Sequence, residues 1–132
     1  DRIPDTALAT TEHKYKGGAH SETKKPTNDG LDSHHCPAKD CYKGAPISSE
    51  QGPAIKMDPK DHRLTESYGR SPYAIQYRAK QKELLEQGKL KEAIEMDVRD
   101  IRSKFGSKYD KAIEEMLEYS GKLDPNSFKT KK

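Results

Sequence analysis

Prolines and glycines divide the C-terminal half of the chain into segments of helical length. Pro59 follows Asp58 and Pro72 follows Ser71, so each proline stands at the first position of a helix, behind a residue that caps helix starts well. Glycines stand where such helices would end. These glycines are Gly69, Gly88 and Gly106. The pattern predicts four helices, over residues 59–68, 72–87, 89–104 and 108–119.

Apolar residues recur at helical spacing in the last two segments, which predicts that one face of each helix is buried. They are Leu90, Ala93, Ile94, Val98, Ile101 and Phe105 in one segment, and Tyr109, Ala112, Ile113, Met116 and Leu117 in the other. In segment 72–87 we expect Tyr73, Tyr77 and Leu84 to share a face, although residues 80–82 between them are polar. Ser107 with Asp110 predicts a capping box before the last helix.

The N-terminal half lacks this periodicity and predicts a small β unit instead. Segments 31–36 and 54–57 are typical of short strands, joined by a long loop rich in proline and glycine. Segment 17–33 is expected to be irregular and turn-rich. We expect residues 1–16 to form a linker or arm, residues 17–120 a single domain, and residues 121–132 a flexible basic tail. The predicted fold class is α+β, with a strand-strand-helix unit buttressed by three C-terminal helices.

Composition limits the size of the core. Hydrophobic residues make up 30% of the chain and charged residues 36%, so we expect part of the chain either to lie loose on the surface or to be ordered by a metal or a partner. The net charge of +3, from 25 basic and 22 acidic residues, permits a polyanionic partner without requiring one. No apolar run approaches the roughly 20 residues of a membrane span, and no signal peptide is visible. The chain begins with Asp1 rather than Met, so we expect a piece of a longer protein.

Cys36 and Cys41 are the two cysteines of the chain. A zinc knuckle would need a second pair of ligands at similar spacing, and the sequence has none. Three states therefore remain open for this pair. The two residues are plain thiols, they form a disulfide, or one of them contacts a metal.

The main chemical signal is a pair of adjacent histidines, His34 and His35, joined about 27 residues later by His62 near a helix start. Histidine is a common ligand of transition-metal ions and the best general base near neutral pH. A hydrolytic nuclease needs both, because a cation polarises the phosphate while a base takes a proton from water. His34 and His35 could divide these two tasks, with His62 joining the metal from the helix, and a His34/His62 metal site is one interpretation. The alternative is that these histidines are miscellaneous polar residues.

One geometric condition applies to the adjacent pair. Neighbouring side chains of a regular strand point to opposite faces. His34 and His35 can therefore serve one site only where the backbone is irregular, at a bulge or at a strand end. Pro37 favours such an end, because proline cannot donate to a strand ladder.

Carboxylates accompany the third histidine. Asp58 and Glu66 lie four residues on either side of His62 and would share its helix face. Asp58 is also the expected N-cap, whose oxygen would be occupied by backbone N–H groups, so we do not expect it to bind metal. Candidates for phosphate contacts in the turn-rich segment are His20, Lys24 and Lys25.

Three segments carry a resemblance to a known family. They are Gly17-Gly18-Ala19-His20, the run from Asp29 to His35 (Asp-Gly-Leu-Asp-Ser-His-His) with Pro37-Ala38, and residues 52–65 around Asp58-Pro59-Lys60-Asp61-His62. With them, and with the helical remainder, the chain resembles bacterial polymorphic-toxin nuclease domains of the HNH/endonuclease VII superfamily, in the branch named for its Ser-His-His motif. The resemblance covers about residues 15–120.

The resemblance implies a ββα-metal core, in which two strands and a helix surround one divalent ion, which would be Mg, Mn, Ni or Zn. His34 and His62 are then the metal ligands and His35 is the general base. No Asn lies between Cys36 and His62 to orient that base, so a backbone carbonyl, Asp61 or Thr65 is expected to do so. The residues expected to contact the ligands or the phosphate are His20, Lys24, Asp58, Asp61, Arg63 and Thr65.

The resemblance also implies a metal-dependent endonuclease toxin, with DNA as the expected substrate and RNA as the nearest alternative. Such domains are C-terminal parts of contact-dependent inhibition, Rhs and type VI effector proteins. It therefore implies a monomeric toxin fragment that is delivered into the cytoplasm of a target cell and is blocked by a cognate immunity protein. Two other classes remain open: a non-catalytic module that binds zinc or nucleic acid, and a helical interaction module formed by residues 70–120.

Overall fold

Three short strands form one antiparallel sheet in this computed structural model, which describes residues 14–130. Strand β1 is Gly17–Ala19, β2 is Asp32–His35 and β3 is Pro53–Met57. The strand order is β1-β3-β2, so β3 is central and β2 is an edge strand. In the β2–β3 register, Asp32 is opposite Met57 and His34 is opposite Ile55. The two strands predicted at 31–36 and 54–57 are confirmed.

Five helices accompany the sheet in the described part of the chain. They are α1 (His20–Thr23), α2 (Pro59–His62), α3 (Pro72–Glu86), α4 (Leu90–Phe105) and α5 (Asp110–Ser120). Short 3-10 turns cover Lys39–Tyr42, Ser49–Gln51 and Pro125–Phe128. The fold is α+β, as predicted. No helix among residues 14–130 combines the length and the apolar character that a bilayer span would need.

Strand β1 is a correction to the sequence analysis, which expected an irregular segment here. Glycine has little intrinsic tendency to form strands, so Gly17 and Gly18 carry no strand signal. The strand exists because β3 supplies its backbone partners and α5 packs against it. This approach requires glycine, because a Cβ atom on Gly17 would lie 1.9 Å from the carbonyl oxygen of Ala112.

The helix predicted over 59–68 is much shorter, which is a second correction. Its start at Pro59 is confirmed, but α2 ends at His62. The hydroxyl of Thr65 donates to the carbonyl oxygen of His62 at 2.8 Å, and the amide of Glu66 donates to the Asp100 carboxylate at 2.8 Å. These bonds replace the helical hydrogen bonds that would continue α2.

Helix α3 starts as predicted, and Tyr77 and Leu84 lie on its packed side, but Tyr73 does not. Ser71 caps it, since its hydroxyl accepts a hydrogen bond from the amide of Ala74 at 3.1 Å. Tyr73, expected on the packed face, is 66% exposed, whereas Ala74, Gln81 and Leu85 are buried. The polar Gln81 is accommodated because its side chain forms hydrogen bonds inside the core.

The apolar faces of α4 and α5 are confirmed. The buried residues include Ala93, Ile94, Val98 and Ile101 in α4, and Ala112, Ile113 and Met116 in α5. The predicted capping box is wrong, because Tyr109 stands at the N-cap of α5 and no side chain caps it. The carboxylate of Asp110 instead accepts a hydrogen bond from Arg102 at 3.1 Å.

Both termini of the described chain pack against the body. Tyr15, in the segment expected to be an arm, is buried, while residues 1–13 lie outside the described part. Phe128 is buried, and the amide of Ile47 donates to the carbonyl oxygen of Ser127 at 3.1 Å. The segment 121–130 therefore differs from the expected flexible tail, because Phe128 anchors it.

We expect Gly17→Ala to lower the free energy of unfolding by about 3 kcal/mol, because the added carbon cannot fit against α5. Urea unfolding followed by circular dichroism measures this change. Gly121→Ala is the matched control, since its Cβ would meet nothing closer than 3.5 Å, and we expect a change below about 1 kcal/mol. Equal effects of the two substitutions would contradict the close packing of β1 on α5.

Candidate functional site

Four histidines line one cavity of about 900 Å³. His20 begins α1, His34 and His35 end β2, and His62 is the last residue of α2. The cavity is also lined by the turn after β2, by residues 67–70 and by α3. The cavity thus brings together all the histidines that the sequence analysis selected.

The imidazole rings of His34 and His62 are close neighbours, with their centroids 5.0 Å apart and their planes tilted by 60°. His34 is 3% exposed, and its Nε2 atom is buried without a hydrogen-bond partner among residues 14–130. Burial, together with the neighbouring His62 and His35, holds the pKa of His34 well below its ordinary value. His34 is therefore neutral at physiological pH, which is the form that binds a cation.

Asp32 orients His62, a role that the sequence analysis did not assign. Nδ1 of His62 lies 2.9 Å from the Asp32 carboxylate. A carboxylate accepts hydrogen bonds, so Nδ1 carries the proton and Nε2 keeps its lone pair. The signal was present in the sequence, because Asp32 and His34 are two residues apart on β2 and two-residue spacing places side chains on one face of a strand.

His35 is oriented by a backbone carbonyl. Its Nε2 atom lies 3.0 Å from the carbonyl oxygen of Ser49. A carbonyl can only accept, so Nε2 is the protonated nitrogen and Nδ1 is free to take a proton. Burial lowers the pKa of His35 to about 4. Of the three base-orienting groups considered from sequence, the backbone carbonyl is the one that makes this contact.

His20 and His35 form a stacked pair, with ring centroids 4.1 Å apart and an interplanar angle of 33°. Nδ1 of His20 lies 2.8 Å from the hydroxyl of Ser33, which in turn lies 2.5 Å from the hydroxyl of Thr23. The adjacent residues His34 and His35 both line the cavity, and both lie at the end of the edge strand β2. This satisfies the geometric condition that the sequence imposed on them.

Asp58 and Asp61 lie away from these histidines and serve a different cluster. Asp58 accepts hydrogen bonds from Tyr15 at 2.8 Å and is 2.8 Å from the Lys108 ammonium. It stands at the N-cap of α2, but its side chain makes no capping bond, contrary to our expectation. Asp61 accepts from Tyr109 at 2.6 Å and from Lys108 at 2.7 Å. These contacts tie α2 to the start of α5.

Three further predicted residues also lie outside the histidine cluster. The Thr65 hydroxyl bonds the carbonyl of His62 and does not contact His35. Arg63 is exposed. Lys24 is paired with Glu50, so its charge is engaged by a carboxylate. Neither Arg63 nor Lys24 lines the cavity.

Lysine and arginine side chains that the sequence analysis did not select also line the cavity. Lys39, Lys43 and Arg70 are exposed there. Arg78 is fixed, since it donates to the carbonyl oxygens of Ser67 and Gly69, both at 2.7 Å. Lysine and arginine side chains beside the histidines make a cavity that suits an anionic group.

A buried donor group, consisting of His34, Cys36 and Asp97, adjoins the cavity. Each residue offers one ligand atom, and these atoms lie within 4.8 Å of one another, so the group could hold a metal ion. Burial raises the pKa of Asp97 to about 7 and that of Cys36 well above its ordinary value.

Cys36 and Cys41 are both buried free thiols, so the disulfide alternative is wrong. The sequence does contain a signal for Asp97, because this charged residue stands among the apolar residues on the buried face of α4.

Comparisons of the chain with protein-family models, with curated proteins and with solved structures found no match.

We expect His62 to carry its proton on Nδ1, and Asp32→Ala to shift it towards the Nε2-protonated form, because the carboxylate that holds the Nδ1 proton is gone. Nitrogen chemical shifts of labelled histidines measure both states. Asp40→Ala is the control, since Asp40 also lines the cavity but pairs with Arg78 rather than with a histidine. An unchanged tautomer in Asp32→Ala would contradict the orienting role.

Proposed function

We propose that this protein is a metal-dependent nuclease that hydrolyses phosphodiester bonds, with DNA as its substrate. The observation that supports the proposal is the close pair His34 and His62, with the oriented imidazole of His35 beside it, in a cavity that lysine and arginine residues also line. We further propose that β2, β3 and α2, in this chain order, are the two strands and the helix of a ββα-metal core.

The histidine pair fits a shared cation. Two imidazoles bound to one ion at about 2.1 Å, in tetrahedral arrangement, have ring centroids roughly 5 Å apart. The rings of His34 and His62 are separated by 5.0 Å. A carboxylate behind a ligating histidine, as Asp32 stands behind His62, is the usual means of fixing such a ligand. A divalent ion (Mg, Mn, Ni or Zn) bound there would polarise the scissile phosphate and stabilise the leaving oxygen.

His35 is proposed to remove the proton from the attacking water. The carbonyl of Ser49 holds its Nε2–H, so Nδ1 accepts the proton as the water oxygen forms its bond to phosphorus. The bond from phosphorus to the leaving oxygen then breaks. Because the pKa of His35 is about 4, the imidazole is neutral and able to accept a proton throughout the physiological range.

The cationic wall is proposed to hold the phosphate backbone. Lys39, Lys43 and Arg70 would each neutralise a phosphate and so contribute affinity without reading a sequence. The expected activity is therefore independent of base sequence. RNA of similar charge is the nearest alternative substrate.

The biological setting is proposed from the sequence resemblance. It is that of a delivered bacterial toxin fragment, which acts in the cytoplasm of a competing cell and is neutralised by a cognate immunity protein. A cation-lined cavity would give an acidic inhibitor an electrostatic target.

We expect the protein to degrade plasmid DNA in the presence of Mg²⁺, Mn²⁺, Ni²⁺ or Zn²⁺, and a chelator to abolish the activity.

His35→Ala should lower the cleavage rate by about 10²–10⁴-fold, because the base is removed. His62→Ala should raise the metal concentration needed for half-maximal rate by roughly tenfold or more, because a ligand is lost. Gel assays over a metal titration give both quantities.

The control for these variants is Tyr73→Ala, whose side chain is exposed and does not line the cavity. Full cleavage by His35→Ala would overturn the assigned base. Cleavage of RNA but not DNA would replace the substrate and keep the mechanism. Absence of cleavage of either, with metal still bound, would favour the non-catalytic module.

We expect the double variant Lys39→Ala/Lys43→Ala to bind DNA more weakly and to lessen the slope of log affinity against log salt by about 2, since two phosphate contacts are lost. Fluorescence anisotropy in a His35→Ala background measures binding without cleavage. Lys91→Ala/Lys111→Ala removes the same charge from exposed positions outside the cavity. An equal slope change in this control would mean that DNA binding depends only on the net charge of the protein, and it would contradict the proposed phosphate contacts of Lys39 and Lys43.

A further inference from the structure

Cys36 and Asp97 lie next to His34 in the protein interior, and neither has a part in the proposed hydrolysis. Cys36 directly follows β2, while Asp97 comes from the middle of α4. Their ligand atoms and one nitrogen of His34 lie within 4.8 Å of one another. A tetrahedral zinc centre keeps its ligand atoms about 3.3–3.8 Å apart. The buried donor group is therefore close to the size that a metal requires.

One atom near this group lacks a partner. Nε2 of His34 is buried and has no hydrogen bond among residues 14–130. Buried polar atoms in folded proteins are nearly always paired. Ligation of a cation is one way in which an imidazole nitrogen is satisfied without a donor or an acceptor side chain.

The carboxylate of the group is held in place from α3. Tyr77 donates to Oδ1 of Asp97 at 2.8 Å, and Gln81 donates to Oδ2 at 2.7 Å. Gln81 is itself fixed, because it accepts from the amide of Ala38 at 3.0 Å and donates to the carbonyl of Ala93 at 2.9 Å. Outer contacts of this kind orient the ligands of metal centres.

We propose that His34, Cys36 and Asp97 form an alternative cation site, which binds a thiophilic divalent ion of the Zn²⁺ class. The donor set decides the class, since one sulfur, one nitrogen and one oxygen suit Zn²⁺ or Co²⁺. Mg²⁺ is excluded as an occupant because it requires oxygen ligands and keeps several waters. The site does not depend on nuclease activity. Because a neutral imidazole offers one lone pair, His34 binds one ion at a time, so this site and the pair with His62 are occupied in turn rather than together.

Titration of the full chain with Co²⁺ tests the site, because a cobalt–thiolate bond gives an intense near-ultraviolet absorption band. We expect this band in the wild-type protein and its loss on addition of Zn²⁺ but not of Mg²⁺. Cys36→Ser should abolish the band, and Asp97→Asn should weaken Co²⁺ binding by about tenfold or more. Cys41→Ser is the matched control, since Cys41 is also a buried free thiol but is not part of the group, and it should retain the band.

His62→Ala separates this site from the catalytic pair, and it should retain the cobalt–thiolate band with an affinity within about threefold of wild type. X-ray absorption of the wild-type zinc form avoids dependence on variants that fold poorly. It should report a sulfur neighbour at about 2.3 Å. A zinc environment of nitrogen and oxygen alone, or a band that is lost in Cys41→Ser and kept in Cys36→Ser, would overturn the proposal.

Discussion

The histidine cavity depends on the pairing of β2 with β3. This ladder places His34 opposite Ile55 and His35 opposite Ala54, at the end of an edge strand. The same β3 continues through Met57 into α2, whose last residue is His62. A shift of one residue in this register would exchange the faces of the β2 side chains, and His34 would then no longer face His62.

Buried polar contacts connect the helical body to this ladder. Gln81 of α3 bonds the backbone just after β2 and the carboxylate of Asp97 in α4. Because both groups are buried, leaving either without its partner would be costly. The two helices therefore do more than cover the sheet. They fix the chain that follows His34 and His35, because Gln81 accepts a hydrogen bond from the amide of Ala38.

Local signals predicted a large part of the fold. The start of α2 follows from Pro59, the start of α3 follows from the Ser71 cap and Pro72, and the buried face of α4 follows from the spacing of its apolar residues. Each of these signals lies within a single turn or helix. The early end of α2, the strand β1 and the burial of Gln81 do not follow from local pattern. Each depends on a partner distant in the chain, such as Asp100, Ala112 or Asp97.

The sequence by itself singled out His34, His35 and His62 by type and by position, and all three line the cavity. Only the tertiary structure decided what orients them. Asp32 binds His62 across 30 residues and the carbonyl of Ser49 binds His35 across 14. Every residue has a backbone carbonyl, so the sequence does not indicate which one accepts the hydrogen bond from His35. Folding alone brings that group within hydrogen-bond distance of the imidazole.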